Sequence, residues 1–98
     1  MSIIILTNKT INNLPNYEDL IVINKPIKLV DEFHLEYNNK IIEFDYLLVE
    51  NQSFLTNYNI LPFMLDDDVI ITNWSGQTTI EHIYIGNLEN AIDELFNY

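Results

Sequence analysis

The segment Phe33–Val49, FHLEYNNKIIEFDYLLV, holds two strand-like runs joined by Asn38-Asn39. Asparagine is the non-glycine residue that best tolerates the positive φ angles of a two-residue hairpin turn, so the segment reads as a β-hairpin. The turn also sets the register. Tyr37 faces Lys40, Leu35 faces Ile42 and Phe33 faces Phe44, because directly opposed residues share a face. Phe33, Leu35, Tyr37, Ile42 and Phe44, continued by Tyr46 and Leu48, then form an apolar face. His34, Glu36, Ile41, Glu43, Asp45, Leu47 and Val49 form the other. The second strand is expected to run through to Val49, and the rest of the chain to be organised on this sheet.

Working outward, Ser2–Thr7 (SIIILT) is a continuous β-branched run, the pattern of a strand covered on both faces. Asn8–Asp19 is turn-rich and reads as a loop tethered by Ile11, Leu14 and Tyr17. Leu20–Ile23 and Ile27–Val30 are short strands divided by Asn24-Lys25-Pro26. Downstream of the hairpin, Glu50–Asn59 breaks the pattern. Ile60–Leu65 carries Pro62 and is expected as an edge strand or an extended crossing segment. Val69–Trp74 and Gln77–Ile85 flank Ser75-Gly76, a turn that sets Ile71 opposite Ile80 and Thr72 opposite Thr79. Alternation falters at Glu81-His82-Ile83, where a bulge or a change of neighbour is expected.

The chain closes on its clearest helix. Asn87 suits an N-cap, and Leu88, Ala91, Ile92, Leu95 and Phe96 fall on one stripe. Glu89, Asn90, Asp93, Glu94 and Asn97 fall on the other. The expected fold is a single α+β domain over residues 1–98: a largely antiparallel twisted sheet of about five to seven strands with one C-terminal amphipathic helix packed on it. With 98 residues the chain can bury one core, and 48% hydrophobic content is enough to build it.

Charge is the feature that asks for a function. Fifteen acids against four lysines, with no arginine, give a net charge of −11. Lys9, Lys25, Lys28 and Lys40 all lie within the first forty residues, where five acids bring the net to −1. From Ile41 to Tyr98 there are ten acids and no base. Such one-sided charge costs self-repulsion and suits a basic partner, whose approach it would steer. Direct binding to nucleic acid is disfavoured, because little here could neutralise phosphates. No cysteine is present, no segment reads as a leader or membrane span, and a cytoplasmic protein is expected.

Catalytic motifs are weak. Ser2, Ser53 and Ser75 lie outside any nucleophile elbow, and Gly76 and Gly86 make no phosphate loop. His34, directly opposite Glu43 and near Asp45, could ligate a divalent metal, but a cross-strand ion pair is the simpler outcome. Asp66-Asp67-Asp68 lacks the spacing of a calcium loop. Asn8-Lys9-Thr10, Asn51-Gln52-Ser53 and Asn73-Trp74-Ser75 match the glycosylation sequon by chance in an asparagine-rich chain. No cofactor is implied.

The expected activity is therefore binding. The chain resembles bacterial toxin-immunity proteins in general character, being small, acidic and without a catalytic motif. A partner-binding surface is expected from Glu36, Glu43, Asp45, Asp66, Asp67, Asp68 and Glu81, with Trp74 and Tyr46 as aromatic contacts and Asp93 and Glu94 in reserve. The basic partner expected is a nuclease toxin, occluded by charge-complementary contact. A phage-encoded DNA-mimic inhibitor of a defence nuclease is the nearest alternative, and a small metal-dependent enzyme built on His34 the more distant one.

Overall fold

The fold comes from a computed structural model and is described for residues 2–11, 19–58, 71–74, 77–80 and 82–96. The hairpin forms as its turn chemistry demands. Asn38 and Asn39 take φ angles of 53° and 60°, both in the left-handed region. They join β4 (His34–Tyr37) to β5 (Lys40–Glu43) with Tyr37 opposite Lys40, Leu35 opposite Ile42 and His34 opposite Glu43. The Phe44 amide donates to the Phe33 carbonyl at 2.8 Å, so the pairing extends one step beyond β5. β3 (Lys28–Leu29) pairs antiparallel with β4 and completes a three-stranded sheet.

This small sheet is a satellite and not the organising centre. The chain leaves it at Asp45, where the amides of Asp45 and Tyr46 both donate to the Ser2 carbonyl, at 2.9 and 3.1 Å. The expected continuation to Val49 is thus cut in two, and Tyr46–Val49 forms a separate strand, β6. β6 lies parallel to β1 (Ile3–Leu6), which is also parallel to β2 (Leu20–Ile23). On its other side β6 is parallel to β9 (Ile83–Ile85). β8 (Gln77–Ile80) and β7 (Ile71–Trp74) add antiparallel strands, giving a six-stranded sheet of order β2-β1-β6-β9-β8-β7. Ile71 faces Ile80 and Thr72 faces Thr79, as expected. Gln77–Ile85 is two strands and not one bulged strand, because Ile80 pairs back on Ile83 across Glu81-His82.

The fold is α+β, and among the described residues the α-helix is α1 (Leu88–Phe96), near the C-terminus. Antiparallel pairing holds in the small sheet and at β7-β8-β9, whereas β2-β1-β6-β9 run parallel. Parallel strands need both faces covered, and the all-apolar runs of β1 and β6 meet that need. Ile4, Leu6, Leu47 and Val49 point to one side, where they pack with Leu35, Phe44, Ile27, Leu29, Phe54 and Leu55 beneath the small sheet. Ile3, Ile5 and Leu48 point to the other, against Ala91 and Ile92 of α1. The molecule therefore stacks small sheet, main sheet and helix. Helix and hairpin lie on opposite sides of the main sheet, so Tyr46 and Leu48 belong with α1 and not with the hairpin's apolar face.

Local signals close the remaining joints. Gly86 takes a φ of 125°, and its amide donates to the Val49 carbonyl at 2.8 Å. Asn87 Oδ1 then accepts the Asn90 amide at 3.2 Å, the N-cap expected for α1. A short 3-10 helix at Gln52–Phe54 turns Phe54 and Leu55 into the core. Asn57 pairs its side-chain amide with both backbone groups of Leu29, at 3.0 and 2.7 Å, and so occupies the outer edge of β3.

Phe44 is the hairpin's fully buried anchor. Phe44→Ala is expected to lower unfolding free energy by about 3–5 kcal/mol, read from urea denaturation, because the ring's contacts are lost and the cavity refills only partly.

Candidate functional site

The outer face of the small sheet is built by strand alternation. Leu29 and Leu35 point into the core, which turns Lys28, Glu36 and Ile41 outward in one cross-strand row. His34 and Glu43 form the neighbouring row, with Val30 beside them through its amide bond to the His34 carbonyl at 2.9 Å. Ile41 is 58% exposed and Val30 37%. Apolar side chains of this size standing among carboxylates are the makings of a contact surface.

His34 is the electrostatic centre of this face. Its Nδ1 lies 2.8 Å from Asp31 Oδ1, and its Nε2 lies 3.4 Å from Glu43 Oε2. The hydrogen bond that the ring donates to Asp31 raises the imidazole above its ordinary value of 6.5; desolvation opposes this, and the Asp31 and Glu43 charges reinforce it. For Asp31, burial pushes the carboxyl up, but the Phe33 amide and the imidazole outweigh it and hold the pKa below normal. Sequence spacing paired His34 with Glu43 and grouped Asp45 with them. Asp31 takes the closer place, because the chain bends at residues 31–33 and brings it beside the ring. Among the described residues no group of three or more His, Asp or Glu is arranged to hold a metal ion.

A shallow cleft of about 410 Å³ opens at the base of the hairpin, lined by Phe33, Asp45, Tyr46 and His82. Phe33 is 45% exposed and stacks on His82, ring centroids 4.4 Å apart and 9° from parallel. His82 Nε2 is hydrogen-bonded to the Glu32 carbonyl, which ties the hairpin to the β8-β9 turn. Asp45 is exposed, and its Oδ2 accepts the Ser2 amide at 2.8 Å.

A second cleft, about 740 Å³, lies at the carboxyl ends of β1, β6 and β9, between Lys9, Glu50, Gly86 and the first turns of α1. Glu50 is its anchor and only 15% exposed. Its Oε2 accepts the Thr7 hydroxyl at 3.0 Å and the Asn8 amide at 3.1 Å, and Lys9 Nζ stands 3.4 Å from Oε1. Burial raises the Glu50 pKa, but these bonds overcome it and leave it below 4.5. Glu50 and the buried Thr7 were not singled out from sequence, since a lone glutamate after a strand carries no distinctive spacing. Their meeting depends on β1 and β6 being neighbours.

The expected contact residues are thus divided. Glu36 and Glu43 share the outer face of the small sheet, and Asp45 and Tyr46 line the cleft at its base. Asp93 and Glu94 are exposed on α1, on the far side of the main sheet. The Trp74 backbone ends β7 opposite Gln77. Asp66, Asp67, Asp68 and Glu81, with the expected Ile60–Leu65 segment and the Ser75-Gly76 turn, lie outside the described residues. Among the described residues no helix is long and apolar enough to cross a membrane. Neither the family models, nor the curated proteins, nor the solved structures contain a match to this chain.

Two measurements follow from these charges. Pairing raises the folded-state pKa of His34, so its contribution to stability is complete below 6.5 and fades as pH rises through the folded value. NMR titration should place the His34 ring above 6.5, and Asp31→Asn should move it back down. Glu50 has the opposite sign: its contribution is present above 4.5 and lost as pH falls through the folded pKa. Glu50→Gln should cost about 1–2 kcal/mol at neutral pH, with the gap from wild type closing in acid.

Proposed function

We propose that this protein is a small acidic inhibitor or immunity protein. It neutralises a basic partner, a nuclease toxin first among them, by docking the outer face of the small sheet and the cleft beneath it. The observation that carries this reading is the placement of exposed Ile41, Val30 and Phe33 beside Asp31, Glu36, Glu43 and Asp45 on one end of the molecule. Interfaces combine an apolar centre with a polar rim, and this surface supplies both. The cleft adds two aromatic rings and a carboxylate, a set that suits an arginine or lysine side chain through ring-face and ionic contact.

A nuclease holds phosphates in a cationic groove, and a net charge of −11 would draw such a groove toward this chain from beyond contact range. Lys28 stands beside Glu36 in the outer row of the small sheet, which favours a patterned protein interface over an unbroken polyanion of the DNA-mimic kind. The action is binding and occlusion, without turnover. The reading places the protein where such a toxin must be restrained, in the cytoplasm.

The product of the reading frame adjoining this chain's gene is the partner to assay, purified and tested for nuclease activity. Addition of this chain should abolish that activity at equimolar ratio, with an association rate that falls steeply as salt rises. Glu36→Lys with Glu43→Lys should slow association about 10-fold or more at low salt, and Ile41→Ala should speed dissociation, without loss of folding. Absence of a complex at low salt, or an association rate indifferent to salt, would remove this proposal.

A further inference from the structure

We infer that β2 is a self-association edge, and that two copies of this chain pair through it as an antiparallel dimer. Among the described residues no strand covers the outer side of β2, which ends the six-stranded sheet. Both edges of the small sheet are managed. β3 is capped by the Asn57 side chain and by the Ile27–Leu55 bridge, and β5 carries Lys40 and Glu43. β2 reads Leu-Ile-Val-Ile, contains no charge, and leaves Ile21 49% and Val22 44% exposed. This is the kind of edge that templates pairing with another chain.

The occupant is argued from register and charge. The carbonyls of Asp19 and Ile23 accept the Ile3 and Thr7 amides, so the odd-numbered backbone groups point to β1. By alternation the backbone groups of Leu20, Val22 and Asn24 point outward. A two-fold axis at Val22 sets Val22 against Val22 of the second copy and Leu20 against Asn24, which pairs every one of those outward groups. The same register brings Asp19, in the turn just before β2, to the end of the pair where Lys25 of the second copy lies at the bend just after β2, twice over. Both side chains are exposed. A shift of two residues either way loses these ion pairs. The overall charge of −11 opposes self-association, but lysines occur only within the first forty residues, and β2 lies in that part of the chain. Val22, half exposed in one copy, would be covered by Val22 of the second on one face, and Ile21 would lie against Ile23 of the second copy on the other.

Sedimentation equilibrium and light scattering of the intact chain test this. Dimers of twice the 11.6 kDa chain mass are expected, dissociating at roughly micromolar concentration because one strand pair buries less than a standard interface. Val22→Pro removes an outward amide that no bond within the sheet uses, and should give a monomer with unchanged circular dichroism. Asp19→Lys and Lys25→Asp should each weaken the dimer 10-fold or more, and the double exchange should restore it. A wild-type chain that stays monomeric at the highest soluble concentration overturns the inference. So does a dimer that survives Val22→Pro, or one whose charge exchange shows no restoration.

Discussion

The structure depends on the double-sided burial of β1 and β6. Ile3, Ile4, Ile5 and Leu6 are all essentially inaccessible to solvent, as are Leu47, Leu48 and Val49 beside them. Two adjacent parallel strands with apolar side chains on both faces demand a cover on each side. α1 supplies one with Ala91 and Ile92, and the small sheet supplies the other with Leu35 and Phe44. Each cover is too small to stand alone, since a lone hairpin or a nine-residue helix is marginal in water. Each cover is held in place by the core it packs on.

That arrangement governs where chemistry is displayed. The lids turn their polar faces outward, so among the described residues acidic groups collect on two surfaces separated by the main sheet. The hairpin surface mixes Glu36 and Glu43 with Ile41 and Val30, whereas α1 presents Glu89 and Glu94 and carries no basic residue in its last turn. The carboxyl ends of the parallel strands form a third locality, in which Glu50 is committed to Thr7, Asn8 and Lys9. A carboxylate held by three donors has little left for a partner. The exposed ones on the hairpin, with apolar neighbours, have more.

The same layering explains how the edges differ. Residues 54–57 fold back against β3, using a side-chain amide where a strand would otherwise sit. β2 lies at the end of the main sheet, where Ile23 and Leu20 still reach the two packed clusters but Ile21 and Val22 stay half exposed. Docking on the hairpin and pairing at β2 would use separate surfaces of the small molecule, so one need not exclude the other.

Much of this was legible in the residues themselves. Asn38-Asn39 determined the hairpin and its register, because few residue pairs accept two successive positive φ angles. SIIILT announced a strand covered on both faces, and Asn87 with the stripe from Leu88 to Leu95 announced the helix. These are local signals, set by backbone sterics and side-chain period. Neighbours in space were not legible. FDYLLV keeps its strand character through Asp45, and only the bonds from Asp45 and Tyr46 to Ser2 reveal that the chain changes sheets there. The Asp31–His34 pair depends on a bend, and the Glu50–Thr7 bond on two parallel strands joined by a long crossover. Parallel pairing is decided by which faces the whole fold can cover, a quantity that belongs to the packed molecule and to no segment of it.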